Sequence, residues 1–290
     1  MNDGDNTPGA AHDNKSGAPA GGSPAVGSAT SDGPAVVLCD LDGVVWLAHQ
    51  PIPGSVEAIA RLRAHGHRVL FVTNNSAARV EQQEAALAAI GIPAVGDVLT
   101  SAMAGALLLQ PGETALVCAG EGVRQALTAR GVVMCDDGDA DAVIVGLHRT
   151  FDYNGLARAA RAVHRGARLI GTNDDATFPT PDGPIPGGGS ILAAVETASG
   201  CAAVVAGKPF EPMAELVRAE VGAAAAQRAV MVGDRPSTDG RFARTLGCRY
   251  AHVWSGVTPR GSVVDPAPDL TADDLAAVVQ ALVTDGYFGR

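Results

Sequence analysis

Carboxylates, a lysine and small hydrogen-bond donors follow four short apolar runs of the sequence. In chain order they are two carboxylates two residues apart, an amide-rich turn, a lone lysine and a further pair of carboxylates. Aspartate oxygens are ligands that a hard cation such as Mg²⁺ takes from proteins, and lysine and amide groups can hold phosphate oxygens. The combination predicts chemistry on a phosphate group. The four stretches are Asp40-Leu41-Asp42-Gly43, Thr73-Asn74-Asn75, Gly207-Lys208-Pro209, and Gly233-Asp234-Arg235 with Asp239 beyond it.

The aspartates and the lysine each suit one part of phosphoryl transfer. Asp40 and Asp234 can share a cation, which removes the repulsion between an anionic nucleophile and an anionic phosphate. Asp42 can be turned toward the leaving-group oxygen, where it would donate a proton and later take one from water. Lys208 stands out because the chain has only one other lysine, Lys15, in the segment that precedes the first apolar run.

Thr73, Asn74 and Asn75 are the predicted phosphate-binding donors of the second stretch. Asp239 has two interpretations at this stage. It contributes a fourth carboxylate to the site, or together with Thr238 it caps the helix that follows.

Alternating strand and helix patterns must position these groups. Apolar runs at residues 35–39, 69–72, 202–206 and 229–232 predict buried strands, and helical patterns separate them. In a doubly wound parallel sheet, ligands bind outside the carboxyl ends of the strands, so the four stretches are expected at one edge. The segment between the second and third runs has strand and helix patterns of its own.

The fold predicted from this order is α/β, with a doubly wound, Rossmann-like core and an inserted α/β cap domain. The core is expected over residues 34–111 and 203–290, and the cap over residues 112–202. Residues 1–33 are rich in Gly, Ala, Pro and Ser and contain almost nothing to bury, which predicts a disordered tail.

These stretches resemble the motifs of haloacid dehalogenase superfamily phosphatases of the NagD-like subfamily. The resemblance covers essentially everything after the predicted tail. It rests on Asp40-Leu41-Asp42-Gly43-Val44, Val72-Thr73-Asn74-Asn75-Ser76, Gly207-Lys208-Pro209 and Val232-Gly233-Asp234-Arg235-Pro236-Ser237-Thr238-Asp239, and on a cap stretch from Gly171-Thr172-Asn173 to Pro186-Gly187-Gly188-Gly189-Ser190.

The resemblance implies that Asp40 forms an aspartyl-phosphate and that Asp42 is the acid/base residue. It implies Mg²⁺ bound by the carboxylates of Asp40 and Asp234 and the backbone carbonyl of Asp42. Phosphate would contact Thr73, Asn74 and Lys208, and Asp239 would support the metal or Lys208. Phe178 stands where pyridoxal phosphate phosphatases of this family carry a histidine. A homodimer through the cap is also implied.

The predicted function is Mg²⁺-dependent hydrolysis of a small phosphate monoester, such as glycerol phosphate or phosphoglycolate. A nucleotide monophosphatase, a phosphate-binding regulatory protein without turnover, and a phosphotransferase are the alternatives. The formal charge of −10 and the absence of a basic run argue against a nucleic-acid partner. No apolar stretch reaches the length of a membrane span, and five scattered cysteines favour reduced thiols, so a cytoplasmic location is expected.

Overall fold

The structure is a computed structural model that describes Met1 and residues 35–180 and 182–284. The predicted disordered tail lies outside these ranges apart from its first residue. The fold is built from two parallel sheets, each with helices on both faces. The prediction of an α/β fold, with a doubly wound parallel sheet and a second α/β layer, is confirmed.

The larger sheet has six parallel strands in the order β15-β14-β13-β1-β4-β5. Its two central strands, β13 and β1, are apolar along their whole length because both faces are covered. The strands in chain order are β1 (Val36–Cys39), β4 (Arg68–Thr73), β5 (Val98–Thr100), β13 (Val230–Gly233), β14 (Arg249–Val253) and β15 (Leu270–Ala272).

Alternate residues of these strands enter two separate cores. Val37 of β1 packs with helices α1, α2 and α10 on one face, whereas its neighbour Leu38 packs with α7, α8 and α9 on the other. The chain thus winds around both sides of the sheet. The helices are α1 (Ser55–Ala64), α2 (Val80–Ala89), α7 (Glu211–Val221), α8 (Ala223–Gln227), α9 (Arg241–Leu246) and α10 (Leu275–Thr284).

The second sheet has five parallel strands in the order β12-β9-β8-β6-β7. Helices α4 and α5 lie on opposite faces of it, and α6 packs beside α5. The elements are β6 (Thr114–Cys118), α4 (Glu121–Arg130), β7 (Val133–Cys135), β8 (Ala142–Val145), α5 (Tyr153–His164), β9 (Arg168–Gly171), α6 (Gly188–Ser199) and β12 (Val204–Val205).

The strand expected at residues 202–206 as part of the core belongs to the second sheet. It is reduced to Val204–Val205 and pairs with Ile170 and Gly171 of β9. An apolar run identifies a strand but not its sheet, and here β9, α6 and β12 form one parallel crossover unit. The expected assignment of this run to the first sheet is therefore wrong, and the junction between the sheets follows residue 205.

Helix α3 (Ser101–Leu107) lies between the two layers. Ala104 packs into the core of the first sheet, and Ala102 and Ala106 pack into that of the second. A second contact involves Gly122 of α4, whose amide donates to Ala77 O at 3.0 Å.

Two antiparallel hairpins complete the architecture, β2 (Trp46–Leu47) with β3 (Gln50–Pro51) and β10 (Thr177–Phe178) with β11 (Ile185–Pro186). A π-helical turn covers Pro236–Gly240. Among the described residues, no helix combines the length and apolarity needed to cross a bilayer.

Candidate active site

Three of the predicted residues meet at the carboxyl edge of the first sheet. Asp40 directly follows β1, Thr73 ends β4, and Asp234 directly follows β13. Because β13, β1 and β4 are neighbours and run parallel, their carboxyl ends lie side by side. The order of strands in the sheet therefore brings together groups that are almost 200 residues apart in the sequence.

A cluster of carboxylates forms the centre of this site. One oxygen from each of Asp40, Asp234 and Asp239 lies within 4.8 Å of the other two. Asp234 and Asp239 are buried, so their charges are poorly screened by water. This is an oxygen-rich donor set of the kind that Mg²⁺ binds in proteins.

Lys208 provides the positive charge inside the cluster. Its Nζ donates to Asp40 Oδ1 at 2.8 Å and to Asp239 Oδ1 at 2.7 Å, and its side chain is 2% exposed. Burial alone lowers the pKa of a lysine, but the carboxylates of Asp239 and Asp40 raise the pKa of Lys208 well above its usual value. The ammonium group is therefore charged throughout the physiological range.

Asp239 is oriented toward Lys208 by its place in the π-helical turn. Its Oδ1 accepts from Lys208 Nζ, and its Oδ2 accepts from the backbone amide of Arg235 at 3.1 Å. Burial raises the pKa of Asp239 to about 6, with Lys208 acting in the opposite direction. Both oxygens are thus engaged within the protein, which favours support of Lys208 over the helix-capping interpretation.

Asp234 is held by a loop that sequence reasoning missed. Val257 N donates to Asp234 Oδ2 at 2.6 Å, and Thr258 Oγ1 donates to Asp234 O at 2.6 Å. A Cβ on Gly256 would stand 1.9 Å from Asp234 Oδ2, so only glycine allows this approach. The loop follows β14, and the rule that chemistry lies at strand ends would have found it had that strand been recognised.

The pKa of Asp234 is raised to about 7 by burial and by the nearby charges of Asp239 and Asp40. A raised carboxylate pKa means that negative charge at this point is not fully compensated by the protein. A divalent cation would supply that compensation, and the neighbouring carboxylates of Asp40 and Asp234 fit one.

Asp42 lies in the turn after β1, at the wall of the site cavity. The turn depends on Gly43, which has φ +87 and leaves space for the carboxylate of Asp234. Burial raises the pKa of Asp42 to about 7, with repulsion from Asp40 as the second and smaller cause. A carboxyl group with this pKa can donate a proton near neutral pH and take one back, which suits an acid/base role.

The side chain of Asn74 is used differently from the expectation. Its Oδ1 accepts from Lys208 N at 2.8 Å, and its Nδ2 donates to Lys208 O at 3.0 Å and to Asp175 Oδ2 at 3.0 Å. The amide therefore fixes the backbone that carries Lys208. The expected side-chain donation to phosphate would have to compete with these bonds.

Thr73 and Asn75 shape the turn on the same edge. Thr73 Oγ1 accepts from Asn75 N at 3.1 Å, and Asn75 Oδ1 accepts from Ala77 N at 3.1 Å. Both residues line the site cavity, as does Asn74.

Loops of the second sheet form the other wall of the site cavity. Asp175, in the loop after β9, forms an ion pair with Arg235 at 3.2 Å in addition to its bond with Asn74. The cavity is about 90 Å³ and is also lined by Leu147 and Phe178. This is far below the roughly 300–1,000 Å³ of pockets that take drug-sized ligands. The space beside the carboxylates suits a short leaving group.

Two family models match the chain. A haloacid dehalogenase-like hydrolase model covers residues 37–133, and a model described as HAD-hydrolase-like covers residues 205–278. The matched segments contain the carboxyl ends of β1, β4 and β13 and the residue Lys208. The part between them coincides with most of the second sheet.

Similar proteins of known name extend this result. The chain is 35% identical to an acid sugar phosphatase of Staphylococcus saprophyticus over 84% of this chain and 96% of the relative. It is 36% identical to D-glycerol 3-phosphate phosphatase of Mycobacterium tuberculosis over 80% of this chain and 66% of that protein. A glycerol phosphate phosphatase of M. tuberculosis, solved in complex with magnesium, superposes with a TM-score of 0.75 at 33% identity, covering 84% of this chain and 75% of the other.

A doubly wound core with this constellation at its carboxyl edge defines the class. The chain belongs to the haloacid dehalogenase-like hydrolases, and within them to the NagD-like phosphatases.

Proposed function

We propose that this protein hydrolyses small phosphate monoesters in a Mg²⁺-dependent reaction through an aspartyl-phosphate on Asp40. The observation that carries the proposal is the placement of Lys208 between Asp40 and Asp239, beside the carboxylate of Asp234. The magnesium complex of the similar glycerol phosphate phosphatase supports the choice of metal.

Asp40 and Asp234, with the backbone carbonyl of Asp42, would hold the Mg²⁺. When bound, the ion neutralises phosphate oxygens and reduces their repulsion of the nucleophile. Asp239 is assigned the support of Lys208, since both of its oxygens already accept hydrogen bonds.

In the first step a carboxylate oxygen of Asp40 attacks phosphorus, and the ester oxygen leaves. Asp42 donates its proton to that oxygen, so the product departs as a neutral alcohol. In the second step Asp42 takes a proton from water, which attacks the aspartyl-phosphate and releases inorganic phosphate and the Asp40 carboxylate. Lys208, with Thr73, Asn74 and Asn75 as the remaining predicted contacts, binds the phosphate oxygens as charge develops.

The proposed substrates are glycerol phosphate, phosphoglycolate or similar small phosphorylated metabolites. A cavity of about 90 Å³ favours a leaving group of a few carbons over a nucleoside. The names of the similar proteins, acid sugar phosphatase and D-glycerol 3-phosphate phosphatase, point the same way.

The test measures phosphate release from glycerol phosphate, phosphoglycolate and nucleotide monophosphates with Mg²⁺, with EDTA, and with Asp40→Asn. We expect release from the small esters that requires both the metal and Asp40. A higher kcat/KM for nucleotides would contradict the substrate assignment. If binding were tight but no phosphate were released from any ester, the protein would instead be a phosphate-binding regulator.

Two further assignments go with this function. The five cysteines are free thiols, which suits a cytoplasmic location. A homodimer through the second sheet is supported by its edge strands β7 and β12, where Val133 and Val204 are exposed. Light scattering on the purified protein would decide between a monomer and this dimer.

A further inference from the structure

The second sheet contains a cavity of its own at its carboxyl edge. Its volume is about 380 Å³, and it shares no lining residue with the active-site cavity. Its walls come from the end of β6, the start of α4, the loop after β8 and the start of α5. This cavity is called the cap crevice below.

Topology explains why a crevice exists at this point. Strand β6 pairs with β7 on one side and with β8 on the other. The chain leaves β6 toward α4, which packs on one face of the sheet, and leaves β8 toward α5, which packs on the opposite face. Two connections that diverge in this way leave a gap at the carboxyl ends of the strands, and parallel sheets bind ligands in such gaps.

Two arginines reach the cap crevice from its opposite sides, Arg124 from α4 and Arg158 from α5. Arg158 is partly buried and forms no hydrogen bond or ion pair with any residue that the structure describes. A partly buried guanidinium group has five donors and a permanent charge, so the absence of a partner leaves its binding capacity unused.

The acidic residues at the crevice do not cancel this charge in its interior. Asp136 pairs with Arg124 at 2.9 Å, but its side chain is 81% exposed, against 34% for Arg124. Glu121 is 64% exposed. Both carboxylates are therefore largely in solvent, and the side chain of Arg124 is more buried than either of them.

Asp152 is the remaining acidic group of the lining, and it has a local structural role. Its Oδ1 accepts from Gly155 N at 2.7 Å and so caps the first turn of α5. His148 contributes a ring whose Nδ1 lies 3.2 Å from Gly146 O. The N-terminal turns of α4 and α5 add partial positive charge to the same space.

We propose that the cap crevice is a second ligand site that binds a small oxyanion, a phosphate or carboxylate group carried by a metabolite. Arg158 is the principal ligand and Arg124 the second, because guanidinium groups bind both kinds of oxyanion through two parallel hydrogen bonds. The site is distinct from the catalytic carboxylates, and its existence does not depend on the proposed phosphatase activity.

Inorganic phosphate is the first probe. Its binding to the full-length protein is monitored by NMR, through the chemical shifts of the backbone amides. The amides of Gly120, Thr150 and Gly155 report on the cap crevice, and those of Asn74 and Lys208 report on the active site. Binding at each site is thus read separately. Malonate serves as the second probe, and its Kd relative to that of phosphate tells which oxyanion the crevice prefers.

We expect saturable shifts at the crevice amides in the wild type, with Kd raised about tenfold or more in Arg158→Gln, because a hydrogen bond to a charged group is worth about 1.5–3 kcal/mol. Arg161→Gln, an exposed arginine one turn further along α5, is the matched control and should leave Kd unchanged. If the crevice amides stay unshifted while the active-site amides respond, or if Arg158→Gln binds as the wild type does, the proposal is overturned.

Discussion

Lys208 and Asp239 form a buried ion pair, with Lys208 Nζ donating to Asp239 Oδ1 at 2.7 Å and neither side chain more than 2% exposed. Lys208 lies three residues after β12, the last strand of the second sheet. Asp239 lies in the π-helical turn that follows β13 of the first sheet. The pair therefore holds the segment that follows the second sheet against the carboxyl edge of the first, where phosphate is expected to bind. Removing either charge leaves the other uncompensated in a medium of low polarity.

Asp239→Asn removes the charge while preserving the size of the side chain. We expect the free energy of unfolding to fall by about 3 kcal/mol, at the lower end of the range for a broken buried pair because Asn can still accept a hydrogen bond. Catalytic efficiency should fall as well, since Lys208 loses the group that orients it. Urea unfolding at slightly alkaline pH in EDTA measures the first effect.

The matched control for this change is Asp273→Asn, which breaks an exposed pair with Arg260. Exposed pairs contribute about 0–1 kcal/mol, so this variant should be close to the wild type. Equal stability of Asp239→Asn and the wild type would mean that Asp40 alone compensates Lys208.

Asp42→Asn separates the two chemical steps. A p-nitrophenolate group leaves without a donated proton, whereas an alkoxide does not, so only the first step of p-nitrophenyl phosphate hydrolysis should survive. We expect a burst of about one equivalent of p-nitrophenolate followed by a stall, and a loss of about 10²–10⁴-fold in turnover of glycerol phosphate. Stopped-flow absorbance measures the burst. Steady turnover of both substrates at the wild-type rate would remove Asp42 from the mechanism.

Gly43→Ala tests the space reserved for Asp234. An added Cβ would lie 2.6 Å from Asp234 Cγ and Oδ2, on a residue whose φ is +87. The carboxylate must move, and we expect Mg²⁺ affinity to weaken about 10–100-fold, as for other groups that orient a metal ligand. Isothermal titration with Mg²⁺ gives the Kd.

Gly96→Ala controls for backbone strain alone. Gly96 has φ +78 but nothing within 4 Å of the added Cβ. This variant should lose about 1–2 kcal/mol of stability with an unchanged Kd for Mg²⁺. If both alanine variants bind Mg²⁺ as the wild type does, the close approach at Gly43 has no bearing on the metal.

The strand-end rule found the carboxylates because their positions depend only on chain order and on parallel pairing. Asp40, Thr73 and Asp234 each follow an apolar run that is buried on both faces, and such runs are visible in the sequence. The order of strands in the sheet then places them together. The same reasoning predicted Lys208 as a site residue but assigned the strand before it to the wrong sheet. That strand, β12, belongs to the second sheet.

Side-chain partners were beyond this type of reasoning. The amide of Asn74 appears in the sequence as a free donor, and only the folded backbone shows that Lys208 N and O occupy it. The loop that contacts Asp234 through Val257 went unnoticed because β14, with Arg and His among its residues, lacks a continuous apolar run. The partners of the Asn74 amide arise from tertiary packing and have no local sequence signal.

The raised carboxylate pKa values predict how stability and metal binding change with pH. In the metal-free protein the pKa values of Asp42 and Asp234 are both about 7, against 3.8 for an ordinary aspartate. The folded state thus binds these protons more tightly than the unfolded state. Their contribution to stability is fully present below about pH 4 and is lost as pH rises through about 7.

Mg²⁺ binding should reverse this loss, because the ion favours the deprotonated carboxylates. We expect the rise in Tm produced by Mg²⁺ to be small near pH 5 and to grow up to about pH 8, with protons released on binding between these limits. Thermal unfolding with Mg²⁺ and with EDTA across this range measures the first effect, and calorimetry in buffers of different ionisation enthalpy measures the second.

Asp234→Asn is the informative variant for this linkage. It removes one of the carboxyl groups whose pKa is raised, and the same group is a predicted metal ligand. Its metal-free stability should therefore fall less steeply between about pH 5 and pH 8 than that of the wild type, and the Mg²⁺-dependent rise in Tm should be greatly reduced. A wild-type response in this variant would show that the cation binds elsewhere, since Asp234 would then be neither the source of the released proton nor a ligand.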